Sequence, residues 1–423
     1  MEPTNEPKKP CFMIAAPMSG SGKTTIARGL MALYASKGMA VQPFKCGPDY
    51  IDTKFHASVC GRPSINLDTF MATSDHVCQL FARYGADADI SIVEGMMGLF
   101  DGYDRDRGSS SEIARLLGLP VVLVVDARSA AYSMAALLSG FIHFREDVHI
   151  AGVLFNKVSS ARHYKMLTQV CDDLGITSFG YLPKSSVLEQ QSRYLGLDFS
   201  DTAMPHQLVS LLESHVDWEG LRSLCPTAPI SQGAALPRCD TPRLVVARNE
   251  ESFSFIYQET LDAFQHVVSF DPETEVPSLA EGDLLYLPGG YPEKHLEALT
   301  QNEAAMTAIR LFAENGGRVV AECGGMMYLC KSIVDDTGEY PMCGVLPYSI
   351  TARKQDRKLS LGYRCFMLDC KEYRGHEFHY TQFLGMLPES ITQVYNAKGE
   401  PVDTPLFRYK NVLASYTHLY HLL

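Results

Sequence analysis

Short apolar runs alternate with helical stretches through the first half of the chain. Cys11–Ala16 (CFMIAA) is unbroken apolar sequence leading into a Gly-rich turn, and Thr24–Lys37 then carries helical spacing. Val41–Lys45, Ile90–Val93, Val121–Asp126, Ile150–Phe155 and Thr177–Leu182 repeat the apolar pattern. Strands apolar on both faces are covered on both, so the series predicts a parallel sheet with helices packed on either side. Ligands of such a sheet bind beyond the carboxyl ends of its strands.

The pattern stops near residue 222. Cys225–Pro242 (CPTAPISQGAALPRCDTP) holds four prolines and no periodicity, which reads as a linker. A second apolar series then begins with Arg243–Ala247 and continues through Asp283–Leu287, Arg318–Glu322 and Val412–Tyr416. A chain of 423 residues is too long for one ordinary core. The expected architecture is therefore α/β in two domains, 1–224 and 243–423, joined by a linker at 225–242.

Composition narrows the partners. Hydrophobic residues at 46% and charged residues at 20% describe a globular chain. A net charge of −12 argues against nucleic acid and against an anionic membrane surface. The twelve cysteines include no C-x-x-C pair and are scattered singly, as small core residues of a reducing compartment are. Met1–Pro10 is polar and Pro-rich, and no run of 18 apolar residues occurs. No targeting or membrane-spanning segment is expected, and the reading is cytoplasmic.

Two segments carry chemistry. The first is APMSGSGKTT (16–25), between an apolar strand and a helix. That is the setting of a P-loop, in which backbone N–H groups and the helix start cradle phosphate oxygens. Gly20 and Gly22 let the backbone approach, Lys23 reaches the terminal phosphates, and Thr24, followed by Thr25, offers a hydroxyl to Mg²⁺. The first glycine of the usual motif is missing, its place falling at Ala16 or Pro17. Nucleotide with Mg²⁺ calls for carboxylates nearby. FKCGPDYID (44–52) supplies Asp49 and Asp52 after a strand, and EGMMGLFD (94–101) supplies Glu94 at a strand end and Asp101 beyond glycines.

The second is RVVAECGG (318–325), a strand delivering Cys323 onto a glycine-rich elbow. A thiol on a strand–turn–helix elbow is exposed at the helix start, where its pKa is expected to fall. N–H groups near Gly290, in LPGGYPE (287–293), and Gly324 are candidate oxyanion-hole donors. A base is needed. Among thirteen histidines, His376 and His379 (GHEFHY, 375–380) and His418 (ASYTHLY, 414–420) are suggestively placed.

GSGKTT, FKCGPDYID and EGMMGLFDG, in this order and spacing, resemble the cobyrinic acid a,c-diamide synthases, relatives of dethiobiotin synthetase. The resemblance covers nearly the whole chain. It implies a P-loop ATP-dependent synthetase domain followed by a glutamine amidotransferase domain of class I type. By this resemblance Lys23 and Thr24 bind ATP phosphates and Mg²⁺, while Asp49 and Glu94 hold the metal. Asp52 and Asp101 would position the substrate carboxylate or its activated form. His418 would be the general base, and the histidines of GHEFHY structural. The implied reaction hydrolyses L-glutamine at Cys323, phosphorylates a tetrapyrrole carboxylate with ATP, and joins the ammonia to it. Cobyrinic acid is the first acceptor, with hydrogenobyrinic acid or nickel-sirohydrochlorin as competitors. The partners are then small molecules, with no nucleic acid and no membrane, and a homodimer left open.

Some residues depart from the family pattern. Tyr194 replaces a histidine, Asn249 stands where Asp is usual, Tyr420 occupies the place of the triad acid, and the chain stops five residues after His418. Two rivals come from other classes. A partitioning-type ATPase switch would carry a lysine where Met18 stands and needs no Cys-Gly-Gly elbow. A degenerate binding module would not keep Lys23, Glu94 and Cys323 together.

Overall fold

The computed structural model describes residues 9–185, 206–227 and 238–422. The chain divides into two compact units, Met1–Ala235 and Leu236–Leu423. Tyr194 and part of the Pro-rich stretch lie outside the described residues.

The first unit is built on seven strands: β1 (Cys11–Ala15), β2 (Val41–Cys46), β3 (Ile65–Leu67), β4 (Ile90–Glu94), β5 (Val121–Asp126), β6 (Ile150–Val158) and β7 (Thr177–Pro183). They form one sheet in the order β3-β2-β4-β1-β5-β6-β7, every pairing parallel. Helices α1 (Lys23–Ser36), α2 (Ile51–Cys60), α3 (Ser74–Gly85), α4 (Ser110–Leu117), α5 (Met134–His143), α6 (Ala161–Leu174), α7 (His206–His215) and α8 (Trp218–Arg222) make the connections or follow the last strand. Every residue of β1 is buried, as its unbroken apolar sequence requires. α1 begins where Gly22 takes φ 98°, a left-handed value that favours glycine. Its Ala27, Leu30 and Tyr34 enter the core with Leu208 and Leu212 of α7. Gly29 has no room for a Cβ beside Leu212, so a glycine inside the helix allows the close approach of α7.

The second unit holds β8 (Leu244–Ala247), β9 (Val267–Phe270), β10 (Leu284–Leu287), β11 (Arg318–Glu322), β12 (Cys330–Val334), β13 (Glu339–Pro341), β14 (Leu346–Thr351), β15 (Ser360–Leu368), β16 (Lys371–His379), β17 (Gln382–Phe383), β18 (Val394–Asn396), β19 (Pro401–Val402), β20 (Leu406–Tyr409), β21 (Val412–Ser415) and β22 (His418–Leu419). Its helices are α9 (Gln258–Asp262), α10 (Leu296–Gln301), α11 (Glu303–Glu314) and α12 (Gly324–Leu329). The main sheet runs β20-β21-β11-β10-β8-β9, parallel except at the β20–β21 edge. Two further sheets, β13-β12-β14-β17 and β19-β18-β15-β16-β22, are antiparallel apart from the β12–β14 pair. Neither smaller sheet was legible as a sheet in the apolar pattern. In β16 the residues turned inward are Gly375, Glu377 and His379, so polar side chains stand where an apolar stripe would mark a strand. Among the described residues no helix is long and apolar enough to cross a membrane.

Candidate active sites

In the first unit the carboxyl ends of β1, β2 and β4 lie side by side, because β4 pairs with both of the others. Each end delivers polar groups: β1 the loop before Lys23, β2 Lys45, β4 Glu94. The loop 95–101 is tied to the P-loop by backbone bonds from Gly95 N to Ile14 O and from Leu99 N to Ala16 O.

Four charged or polar groups meet there. The Thr24 hydroxyl lies 2.6 Å from Glu94 Oε1 and 3.3 Å from Asp52 Oδ2. Lys45 Nζ bridges the same two carboxylates, at 2.7 Å from Asp52 Oδ2 and 2.9 Å from Glu94 Oε1. The other oxygen of Glu94 is bonded to His56 Nε2 at 2.7 Å. Burial would raise the Glu94 carboxyl, but Lys45 and the His56 bond bring it below its ordinary range. Burial would likewise lower Lys45, and Asp52 with Glu94 reverse that and hold it charged. A hydroxyl and two carboxyl groups around one buried cation form an oxygen donor set of the kind Mg²⁺ takes.

Lys23 donates to the Met97 carbonyl and turns back over the loop 95–101. Burial, then the neighbouring Lys45, lower it to about 8. Gly20, φ 80°, is exposed on the loop's outer edge, and Thr25 is half-buried in the same turn as Thr24. Asn156 on β6 holds the loop from beneath, its Nδ2 donating to Ser21 O at 2.9 Å, and leaves no room for a Cβ on Gly22. Asp101 is exposed, and its Oδ2 accepts from Gly98 N at 3.0 Å.

The expected division between the two acids after β2 is not what the geometry favours. Asp49 Oδ1 accepts from the N–H groups of Ile51 and Asp52 at 2.8 and 2.9 Å, starting α2. Burial and Asp52 push the Asp49 carboxyl up to about 6. Asp52, in the first turn of that helix, is the acid that reaches Thr24. Lys45, His56 and Asn156 went unassigned in the sequence. A lysine at the end of an apolar strand was the available signal, since a buried charge has to find partners.

In the second unit the expected elbow is present. Cys323 sits between β11 and α12 with φ 46° and ψ −109°, a strained conformation for a residue with a Cβ. Its N–H donates to Ser415 O at 2.8 Å, and its sulfur lies 3.8 Å from Phe378 O. Gly324 packs directly on Gly290: an added Cβ would stand 2.9 Å from Gly290 O and 3.0 Å from Gly290 N. The two glycines are thus brought together beside the sulfur, where the Gly324 N–H reaches it.

The thiol's acidity corrects the sequence expectation. Burial, then the Glu293 carboxylate, raise Cys323 well above its ordinary value, and the Gly324 N–H only partly opposes them. The resting group is a thiol. A helix of only six residues, facing acids, does not reverse burial.

His418 lies just beyond β21, the strand paired with β11 in the register Glu322↔Ser415. Its ring is fully buried, lies 5.9 Å from the Phe255 ring, and rests on Gly289, which has no room for a Cβ. Burial, then His376, lower it to about 3, so the imidazole is neutral at rest. His376 pairs with it across β16–β22. His379 is engaged elsewhere, stacked on Tyr416 at 3.6 Å and bonded to Glu377 Oε1 at 2.8 Å. Glu377 also accepts from Arg364, Ser360 and Thr404, each at 2.6 Å. Tyr420, in the place of the triad acid, packs its ring against Tyr257. At Asn249 the amide Nδ2 lies 3.0 Å from Asp271 Oδ1 and 2.8 Å from Glu273 Oε1. An aspartate there would set three carboxylates together, so the amide suits its neighbours.

Comparison with known proteins agrees with this layout. A family model described as the CobQ/CobB/MinD/ParA nucleotide binding domain matches residues 12–195, and one described as the CobB/CobQ-like glutamine amidotransferase domain matches 245–422. The chain is 39% identical to the cobyrinate a,c-diamide synthase of Caldanaerobacter subterraneus subsp. tengcongensis, over 96% of this chain and 94% of that one. It is 36% identical to the hydrogenobyrinate a,c-diamide synthase of Brucella abortus, over 96% and 98%. With the cobyrinate a,c-diamide synthase of Listeria innocua the identity is 35%, over 97% and 96%. A nucleotide-binding unit and a thiol-bearing glutamine amidotransferase unit, matched along almost their whole length, make the chain a member of the a,c-diamide synthase family of glutamine-hydrolysing amidotransferases.

Proposed function

We propose that the protein amidates the a and c acetate side chains of cobyrinic acid, using ATP and glutamine, in cobalamin biosynthesis. The observation that carries the reading is the Cys323 elbow, strained at φ 46° with the Gly324 N–H at its sulfur. Such a thiol is built to form and release an acyl-enzyme.

Cys323 Sγ attacks the side-chain carbonyl carbon of glutamine as His418 takes the thiol proton. The tetrahedral oxyanion is received by the N–H groups of Gly290 and Gly324. His418 passes the proton to the leaving nitrogen, and ammonia departs. A water deprotonated by His418 then opens the thioester and frees glutamate. A neutral imidazole and a protonated thiol are the resting forms this sequence of steps requires.

In the first unit Gly20, Gly22, Lys23 and Thr25 receive the ATP phosphates. Thr24, Asp52 and Glu94 would hold Mg²⁺, with Asp49 keeping Asp52 in place through the start of α2. When bound, the ion supplies neutralisation of phosphate charge. Asp101 lies near enough to Lys23 for its charge to act on the ammonium. A substrate carboxylate oxygen attacks the terminal phosphorus as the bond to ADP breaks, and ammonia then attacks the acyl carbon, losing a proton as phosphate leaves. We place the enzyme in the cytoplasm, where its twelve free thiols suit a reducing compartment.

The test offers cobyrinic acid, hydrogenobyrinic acid and nickel-sirohydrochlorin with ATP and glutamine, and reads products by mass. Two amidations of cobyrinic acid are expected. No amidation of any acceptor, with glutaminase intact, would overturn the reading.

A further inference from the structure

The imidazole lacks the acid that follows two residues later in most triad amidotransferases. A different carboxylate is attached to the same segment. Glu322, the last residue of β11 and the immediate neighbour of Cys323, is 2% exposed and has both oxygens engaged. Oε1 accepts from Leu419 N at 2.9 Å, and Oε2 accepts from the Tyr286 hydroxyl at 2.7 Å.

The Leu419 N–H belongs to the peptide group that directly follows the His418 imidazole. Its other end, the His418 carbonyl, lies against Gly375 of β16, which has no room for a Cβ. The peptide unit is therefore held from both sides. The start of the same segment is fixed by Cys323 N donating to Ser415 O at 2.8 Å, and Thr417 N donates to Ser415 Oγ at 3.1 Å. One strand end, residues 322 and 323, thus grips both ends of the segment that carries the base.

We propose that Glu322 is the positioning residue for His418, taking over through the Leu419 backbone the orienting role that a triad acid performs through the imidazole nitrogen. This rests on His418 being the general base. The hydroxyl of Tyr286, itself buried on β10, fixes the carboxylate plane so that Oε1 points at Leu419. The arrangement sets nucleophile and base from one strand end, so a displacement of β11 moves them together. It also leaves position 420 free for an aromatic ring. Burial pushes the Glu322 carboxyl up to about 8, which fits an anchor whose value lies in its acceptor geometry more than in its charge.

The test compares Glu322→Gln with Glu322→Asp, alongside His418→Asn. Gln keeps an acceptor at the same reach; Asp keeps the carboxyl and draws the acceptor back by one methylene. Glutaminase kcat and KM are measured, with inactivation by the glutamine analogue 6-diazo-5-oxo-norleucine and ammonia-driven amidation. Misplacing a catalytic group by about 1 Å costs on the order of 10²-fold. Glu322→Asp should therefore lose about 10- to 100-fold in kcat and in the inactivation rate, with glutamine KM within about threefold. Glu322→Gln should retain most of both, and ammonia-driven amidation should persist in each. The reverse order, equal losses, two variants like the parent, or a parallel loss of ammonia-driven amidation would overturn the proposal. Full glutaminase in His418→Asn would instead overturn the assignment of the base.

Discussion

Thr24 and Glu94, brought together from the first turn of α1 and the end of β4, share a hydrogen bond of 2.6 Å. That bond ties the P-loop helix to the strand on which an acid facing nucleotide is expected, and Lys45 neutralises the acid meanwhile. Glu94→Gln should lower ATP turnover by 100-fold or more, roughly the loss of one directly placed charged group. The fold should survive, because Asp52 still pairs with Lys45 at 2.7 Å. ATP hydrolysis and glutaminase are to be measured on the same preparation. ATP turnover within threefold of the parent would refute the role.

Asp52 and Asp49 can be separated in the same way. Asp52→Asn removes a carboxylate from Thr24 and from Lys45, and should reduce ATP turnover about as strongly as the Glu94 variant. Asp49→Asn keeps an acceptor for the N–H groups of Ile51 and Asp52 and should cost less than about tenfold. A larger loss at Asp49 would restore it as the metal-holding acid.

Cys323→Ala should abolish glutamine-driven amidation and leave ammonia-driven amidation within about threefold. Cys323→Gly adds a physical test of the elbow. At φ 46° a glycine relieves backbone strain, so this variant should be about 1 kcal/mol more stable than Cys323→Ala while equally inactive with glutamine. Urea unfolding of the two variants decides it; a less stable glycine variant would deny the strain.

His418→Asn should slow glutaminase kcat by about 10²- to 10⁴-fold, the range for loss of a general base. His379→Asn should cost far less, since that ring is committed to Tyr416 and Glu377. If His379→Asn is the more damaging, the base has been misassigned.

How much of this could be read in the sequence depended on whether local pattern and tertiary demand agreed. β1, Gly20, Gly22 and α1 were legible because an unbroken apolar strand, a left-handed turn and a helix each leave a local mark. Cys323 was legible for the same reason. Its acidity was not, because that is set by burial and then by Glu293, both products of the tertiary packing. Lys45, Asp52 and Thr24 form one cluster only once β1, β2 and β4 are adjacent, so no spacing along the chain announces it. β15 and β16 escaped notice because their buried positions hold Arg364, Glu377 and His379, which satisfy one another across the sheet. Leu361 and Met367, meanwhile, are exposed. Apolar periodicity reports burial only where the buried groups are apolar.

That buried polar sheet should make the second unit sensitive to acid. His376 is pushed down to about 4 by burial, then by Arg364. Its ordinary value is near 6.5, so below that pH the unfolded chain binds a proton that the folded chain refuses. Stability is therefore full above about pH 6.5 and falls as pH drops toward 4, by up to about 3 kcal/mol for this one group. His418, lowered to about 3, adds a second loss in the same direction. His376→Asn should remove one of the two contributions and flatten the fall between pH 7 and pH 5 by roughly one proton. Urea midpoints followed by hydrogen exchange in β16 measure this, after correction for the intrinsic pH dependence of exchange. Parallel curves for parent and variant would mean that His376 is protonated as readily folded as unfolded.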